Sequence, residues 1–482
     1  MPYARPPVTV PTMTPHAANV HSVSTDPPRS LAADLRALLA IAGPIVLVQV
    51  GIMAMGVVDT IMIGRVSPAA IAAVSLGNTL VMAVGMFGMG VVMSLDAVVA
   101  QAVGAGDHPA IARSFQRALL LALLVTVPTT LLLLLGSEPL LVASGQPAEV
   151  APLAVRYIWT YLPALPMFYL FIALRQTLQA MHRLSPIVWT MVLGNLLNWF
   201  LNWVLIYGHL GAPPLGVVGS ALATMIGRYV MTIALLAVAW RTFGPLLRPF
   251  RREALALRPL LRFAALGVPI GTQFVLEVGV FAMVGLLMGR LGTTALAAHQ
   301  IALNVASLTF MVPLGISMAA AVMVGRAVGA HDPAAMRRAA RLSLGCAVAF
   351  MTLSALAMRF LAGPIARLYT PDAGVIAVAI VLLRLAAVFQ VFDGIQVAAI
   401  GILRGIGDTR APVVANVIGY WVLGLPLSLW LAFGLDLGPP GLWWGFVAGL
   451  AVVAVWMLSR VRAQMGRLQT RIVLDDGPSP SG

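Results

Sequence analysis

The second half of this chain repeats the first at an offset of 225 residues, and both halves are strings of apolar segments. Pro44 recurs as Pro269, Gly64-Arg65 as Gly289-Arg290, and Ala72-Ala73 as Ala297-Ala298. Ala102-Val103-Gly104-Ala105 recurs as Ala327-Val328-Gly329-Ala330, followed by Asp107 and Asp332. Further on the offset becomes 226, with Gly208 matching Gly434 and Pro213-Pro214 matching Pro439-Pro440. The chain is 60% hydrophobic and only 10% charged, where a soluble domain carries about 25% charged residues. A duplicated, polytopic membrane domain follows, and the site of such a protein lies between the repeats near mid-bilayer.

At about 20 residues per span, 482 residues leave room for about a dozen helices. Twelve apolar segments centre near about 48, 85, 125, 163, 197 and 227, then 275, 308, 349, 389, 422 and 451, with edges uncertain by a few residues. The expected fold is therefore all-α: twelve transmembrane helices in two bundles of six. Six spans per half is an even number, so the halves share an orientation and are related by a pseudo-two-fold axis along the membrane normal. The expected organisation is a disordered tail over 1–30, a first bundle over 31–240, a linker loop over 241–262, a second bundle over 263–465 and a tail over 466–482. The proline-rich 1–30 segment has no apolar core, so no cleavable signal peptide is expected there.

Charge excludes several functions. The net charge of +14 could suggest nucleic acid, but the charge sits between apolar runs, so no nucleic-acid partner is expected; the partners are membrane lipids and small molecules, and the chain is expected to be a monomer. All basic residues are arginine. Without lysine there is neither a Walker A phosphate lysine nor Schiff-base chemistry, so an ion gradient is the expected energy source and no cofactor is implied. The single cysteine, Cys346, permits no intramolecular disulfide and no cysteine metal cluster. No clustered His, Cys or Ser-His-Asp set points to an enzyme.

Arginine placement sets the expected topology. The segments on the side of the N-terminus carry Arg113, Arg117, Arg175, Arg183, the run from Arg241 to Arg262, Arg326, Arg337, Arg338, Arg341, Arg404 and Arg410. The opposite side has Arg65, Arg156, Arg290, Arg359 and Arg367. Both termini are thus expected in the cytoplasm. Asp107 and Asp332, each followed by proline, read as helix N-caps.

Four acids fall inside apolar segments: Asp59, Asp96, Glu277 and Asp393. A carboxylate at that depth costs a few kcal/mol unless paired or hydrated, which makes it a functional candidate. Glu277 and Asp393 lie mid-span. Asp59 lies toward the outer end of the first span. Asp96 lies toward the inner end of the second, where it is expected to be hydrated and paired with a loop arginine. Asn195, Asn198 and Asn202 form one helical stripe, which either glues helices together or lines a cavity. Gln390, Asp393 and Gln396 repeat on the tenth span, and His299, Gln300 and Asn304 cluster on the eighth. Burial disfavours a bare carboxylate, so a proton, a sodium ion or a cationic substrate would compete for it, which is a physical route to antiport. Abundant methionine and phenylalanine could wall a site for lipophilic cations.

Gly56-Val57-Val58-Asp59-Thr60, Phe274-Val275-Leu276-Glu277-Val278, Ala297-Ala298-His299-Gln300-Ile301, Asp393-Gly394-Ile395-Gln396 and Leu403-Arg404-Gly405 together resemble the multidrug and toxic compound extrusion (MATE) family, and most closely its NorM-like branch. The resemblance covers roughly residues 31 to 465. It implies a central cleft between the bundles, rocker-type alternating access in a bacterial inner membrane, and export of cationic or lipophilic drugs and dyes in exchange for sodium or protons. The family's cation positions match Glu277 and Asp393, where sodium or a proton would bind, and Asp59 with Asn198 and Asn202 as neighbours. Asn195, Gln300, Asn304 and Gln396 are the further expected cavity residues. Asp96 departs from the pattern, since an apolar residue is expected there. A lipid-linked precursor flippase of the wider superfamily is the alternative; it would want a cationic cleft, and by depth in the sequence only Arg228 and Arg384 lie well inside spans.

Overall fold

The computed structural model describes residues 31–475 apart from Ala148; the tail expected over 1–30 and the last residues of the chain lie outside the described part. All regular structure among the described residues is helical. The first half contains α1 (Leu31–Ile63), α2 (Pro68–Met93), α3 (Leu95–Gly104), α4 (His108–Ala143), α5 (Ala151–Tyr161), α6 (Ala164–Ala180), α7 (Ser185–Tyr207) and α8 (Gly216–Val238). A short α9 (Trp240–Leu247) leads to the second half. There follow α10 (Leu257–Arg290), α11 (Thr293–Gly329), α12 (Pro333–Phe360), α13 (Ala362–Tyr369), α14 (Ala373–Ile406), α15 (Arg410–Asn416), α16 (Leu425–Leu429) and α17 (Pro439–Met465).

Eleven stretches are long and apolar enough to cross a membrane, and the bent pair α5–α6 makes twelve. Its 52° bend falls at Leu162-Pro163, because Pro163 has no N–H for the carbonyl a turn earlier. Pro44, Pro269 and Pro313, by contrast, lie inside unbroken helices. The eleventh span is irregular: α15 passes into π-helix over Val417–Gly424, and α16 passes into π-helix over Trp430–Gly434. The two expected N-caps are present. Asp107 accepts from the Ala110 N–H at 2.9 Å and Asp332 from the Ala335 N–H at 2.8 Å.

The halves meet at the end of the bundle that carries the starts of α1 and α10 and the end of α17, called here the terminal face. A side-chain carbon on Gly104 would collide with the Arg326 carbonyl, and one on Gly329 with the Gln101 carbonyl. Both the glycines and the carbonyls are related by the 225-residue offset, so this is one crossing made twice about the pseudo-two-fold axis. Gly90 likewise lies against Gly271, and its repeat partner Gly315 against Val46. Small residues at such crossings let backbones touch, which lipid-embedded helices need in place of a hydrophobic driving force.

Polar contacts reinforce the same face. Gln101 donates to the Gly405 carbonyl (2.9 Å) and accepts from the Ile472 N–H (2.7 Å). The segment after α17 runs back across the seam as a strap. Arg471 pairs with Asp107 (2.8 Å), the Leu474 carbonyl accepts from Arg262 (3.0 Å), and Asp475 pairs with Arg113 (2.7 Å) and with buried Arg117. Among the described residues, every hydrogen bond between the halves lies at this face.

Two outcomes follow. Gly104→Ala should cost about 1–3 kcal/mol of packing at the crossing and open the terminal face. Thiol labelling of a Val98→Cys probe should then rise severalfold, and unchanged labelling would contradict the close-packed seam. The second concerns pH. Partial burial pushes the Asp475 carboxyl up, but the hydrogen bond and charge of Arg117 and the charge of Arg113 outweigh it and hold the group below its usual range. A carboxylate depressed in the folded state stabilises above its unfolded pKa, and that contribution is lost as pH falls through the folded value. Hydrogen exchange over Arg471–Asp475 should therefore stay slow down to about pH 4, the ordinary carboxylate value, and accelerate only below it. Asp475→Asn should accelerate it at neutral pH.

Candidate functional site

Above the glycine crossing the halves part around a cavity of about 580 Å³. α1, α2, α6 and α8 form one wall and α10, α11 and α14 the other. Most of the lining is soft and apolar, including Met53, Met82, Met86, Phe168, Phe274, Phe310 and Phe389. Five charged side chains reach it. Arg175 and Arg228 stand on the first-half wall; Glu277, Asp393 and Arg404 stand on the second.

Glu277 is held on both oxygens. Gln273, one turn earlier on α10, donates to Oε2 and Gln396 donates to Oε1, each at 3.4 Å. The Tyr420 hydroxyl donates to Gln396 Oε1 at 2.6 Å, which fixes the amide so that its NH₂ faces Glu277. Trp421 Nε1 donates to the Leu276 carbonyl at 3.1 Å. Tyr420 and Trp421 both lie in the first π-helical stretch, so the irregular winding of the eleventh span supplies both contacts; π-turns are frequent at functional sites. Asn416, at the end of α15 beside Glu277, is fully buried with both amide atoms unpaired.

Asp393 is buried on the same wall and close enough to Glu277 for the two charges to repel. Among the described residues no donor reaches it. The structure therefore brings together the two mid-span acids expected from the sequence, with Gln396 behind them instead of in the lining. The Asp393 oxygens and the second lone pairs of the Glu277 oxygens, with the Asn416 carbonyl, are hard donors of the kind that suit a proton or a small hard cation. No trio of His, Cys, Asp or Glu able to hold a metal ion occurs among the described residues.

Asp59 belongs to a different cluster. Asn202 donates to its Oδ1, and Thr224 donates to Oδ2 at 3.5 Å. Asn202 also donates to Asn198 at 3.2 Å, and both amides are buried. None of these side chains lines the cavity. Asn195 bonds back to the Met191 carbonyl at 2.9 Å and abuts Gly51 of α1. The amide stripe thus fixes Asp59 and packs α7 on α1.

Several expectations are corrected. Gln300 and Asn304 are exposed and contribute nothing to the lining. The lining stripe of α11 runs through Leu303, Ser307, Phe310 and Leu314; at 100° per residue Asn304 falls at its edge, and Gln300 lies a turn beyond its end. His299, which on its own reads as a packing histidine, is one: it accepts from Trp443 Nε1 at 3.2 Å. Asp96 is closed off from bulk water: it is 1% exposed, accepts from Gln176 at 3.1 Å and has one oxygen without a protein partner. Arg175 and Arg404, placed by sequence in loops, are 4% and 5% exposed and act electrostatically on Asp96. Arg384 is exposed. For Asp96, Arg175 and Arg404 the reason is common. Distance along a span gives depth in the bilayer, whereas the glycine-packed terminal face covers the inner helix ends with protein.

That correction yields a further outcome. Asp96→Ala removes the acceptor for Gln176 and the anion between two buried arginines, and should destabilise by about 2–3 kcal/mol. Asp96→Asn keeps the hydrogen bond and should cost clearly less. Thermal unfolding in detergent measures both, and two equal small shifts would contradict the pairing.

The MatE family pattern matches residues 44–204 and 269–430, one block in each half. The chain is 40% identical to a probable multidrug resistance protein NorM of Bradyrhizobium diazoefficiens over 92% of its own length and 96% of the relative's. It is 35% identical to the multidrug resistance protein MdtK of Pectobacterium atrosepticum, over 91% and 98% of the two chains. Among solved structures, the Vibrio cholerae MATE transporter VcmN in the bent form superposes with a TM-score of 0.81 at 19% identity, covering 90% of this chain and 98% of that one. The eukaryotic MATE transporter AtDTX14 superposes with a TM-score of 0.81 at 21% identity, covering 90% and 99%.

Proposed function

The chain belongs to the MatE family of multi-pass membrane transporters, and on that footing we propose that it is a secondary active multidrug exporter of the bacterial inner membrane. It takes up cationic or lipophilic drugs and dyes from the lipid or the cell and releases them outside in exchange for sodium ions or protons. Both termini are cytoplasmic, in keeping with the arginine distribution, and the monomer is the working unit. The closed terminal face then points to the cytoplasm, and the cavity communicates with the outside.

The observation that carries the reading is the pair Glu277–Asp393 on one cavity wall, with no neutralising cation within ion-pair distance among the described residues. An unneutralised carboxylate in a membrane-embedded cavity is costly. A bound proton, sodium ion or cationic drug relieves that cost, and occupancy by one disfavours the others. Loaded and empty states then prefer different packings of the halves by the ligand's differential affinity. The Asp59 cluster, walled off from the cavity, has a supporting role in fixing α1 against α7 and α8.

The cavity arginines favour the lipid-linked precursor flippase more than depth in the sequence did. The acids on the facing wall and the apolar lining still fit export of amphiphilic cations better.

Glu277→Gln and Asp393→Asn keep size but remove the charge. Each should insert and accumulate near normally yet lose gradient-driven ethidium efflux by tenfold or more. The measurement is efflux from vesicles with sodium and proton gradients imposed separately, with protein level checked by blot. Full efflux by both variants would overturn the mechanism.

A further inference from the structure

The cavity is electrically two-sided. Its second-half wall carries Glu277 and Asp393, offset in part by Arg404. Its first-half wall carries only cations, Arg175 on α6 and Arg228 on α8. These are 4% and 6% exposed, and the Nε of each is buried without a partner. Among the described residues no carboxylate lies within ion-pair distance of either. Among the described residues Arg175 donates one side-chain hydrogen bond, from Nη1 to Gln49 Oε1 at 3.2 Å, and the Asp96 charge acts on it without closing an ion pair. Arg228 lies over the Phe168 ring at 5.1 Å. Asp59, on α1 behind Arg228, has its oxygens engaged by Asn202 and Thr224.

The repeat shows that the fold itself does not require these cations. At offset 225, Arg175 falls opposite Ile400, and at offset 226 Arg228 falls opposite Ala454. Phe168, the ring beneath Arg228, falls opposite Asp393. The two walls are related by the pseudo-two-fold axis, and their charge is reversed across it. The Asp96 charge acts on Arg175 and the Asp59 charge on Arg228 from beyond ion-pair distance, so each charge is offset only in part; the two guanidinium groups repel each other and keep N–H donors without the hydrogen bonds that water would supply. A planar anion satisfies both with directed N–H donors, which is the geometry in which arginine binds carboxylates.

We propose that Arg228 and Arg175 form a carboxylate subsite, so that the cavity selects zwitterionic amphiphiles, with the amine toward Glu277 and Asp393 and the carboxylate toward the arginines. This rests on the export reading for the cavity's use, and it adds a second recognition element that a purely cationic substrate would leave unfilled. Phe168 and the methionines between the walls would hold the ring system of such a compound.

The test compares rhodamine B, whose free carboxylate makes it a zwitterion, with its ethyl ester, a cation of the same skeleton. Fluorescence polarisation with the purified full-length protein gives both dissociation constants. The wild type should bind the acid roughly tenfold tighter than the ester, the worth of one charge-assisted hydrogen-bonding contact. Arg228→Gln should bring that ratio close to one, and Arg228→Lys should keep most of it. The ratio is the readout because misfolding lowers both affinities together. Binding of both dyes by the wild type with a ratio near one, or a ratio that survives in Arg228→Gln, overturns the subsite while leaving the export reading intact. Binding of neither dye overturns both. Tighter binding of dihexanoyl phosphatidate than of rhodamine B, also lost in Arg228→Gln, assigns the arginines to a lipid phosphate and overturns the carboxylate proposal.

Discussion

The crossing of Gly104 over the Arg326 carbonyl, repeated as Gly329 over the Gln101 carbonyl, is the contact on which the rest of the structure depends. It brings the inner ends of α3 and α11 together without intervening side chains. Everything beneath the cavity is sealed by it, and everything above is free to splay. Because the contact is made twice about the pseudo-two-fold axis, a tilt of one half against the other changes both copies together. Gln101 and the strap through Asp475 add polar bonds to the seam, and such bonds can be remade as the halves move more readily than a packed core can be.

Sealing one face also sets the electrostatics. Asp96, Arg175 and Arg404 would be interfacial by their position along the helices, and the seam turns them into buried groups. They form a layer of charge under a largely apolar chamber, with the Glu277–Asp393 pair on one side and the Arg175 and Arg228 guanidinium groups on the other. In such surroundings each neutralisation event is worth far more than in water. A change of occupancy at one wall can therefore bias the packing of whole halves, which is what exchange of an ion for a drug requires.

Much of this was legible in the sequence. The repeat and the span centres required only hydropathy. The isolation of Glu277 and Asp393 in apolar runs pointed to the cavity wall on which both lie. The resemblance to the family put Asn198 and Asn202 beside Asp59, and Asn202 does donate to its Oδ1. The depth of Asp96 was missed, because burial by a second half is not visible in one span's pattern. The π-helical turns that bring Tyr420 to Gln396 and Trp421 to Leu276 left no signal beyond Gly419, Gly424 and Pro426. The cationic wall was missed for the same reason as Asp96: Arg175 was read as belonging to a loop.

The central claim is that the halves rock about the glycine seam and that cation occupancy of the second-half acids sets the balance. Arg65 and Arg290, equivalent positions of the repeat, lie on the face opposite the seam. Spin labels on Arg65→Cys and Arg290→Cys in a Cys346→Ser background report the opening of that face by pulsed dipolar spectroscopy. The account predicts that raising sodium, or lowering pH, shifts the population from a long distance toward a short one, and that Glu277→Gln with Asp393→Asn abolishes the shift. A distance distribution that ignores both cations, or one that responds as fully in the double variant, would contradict it.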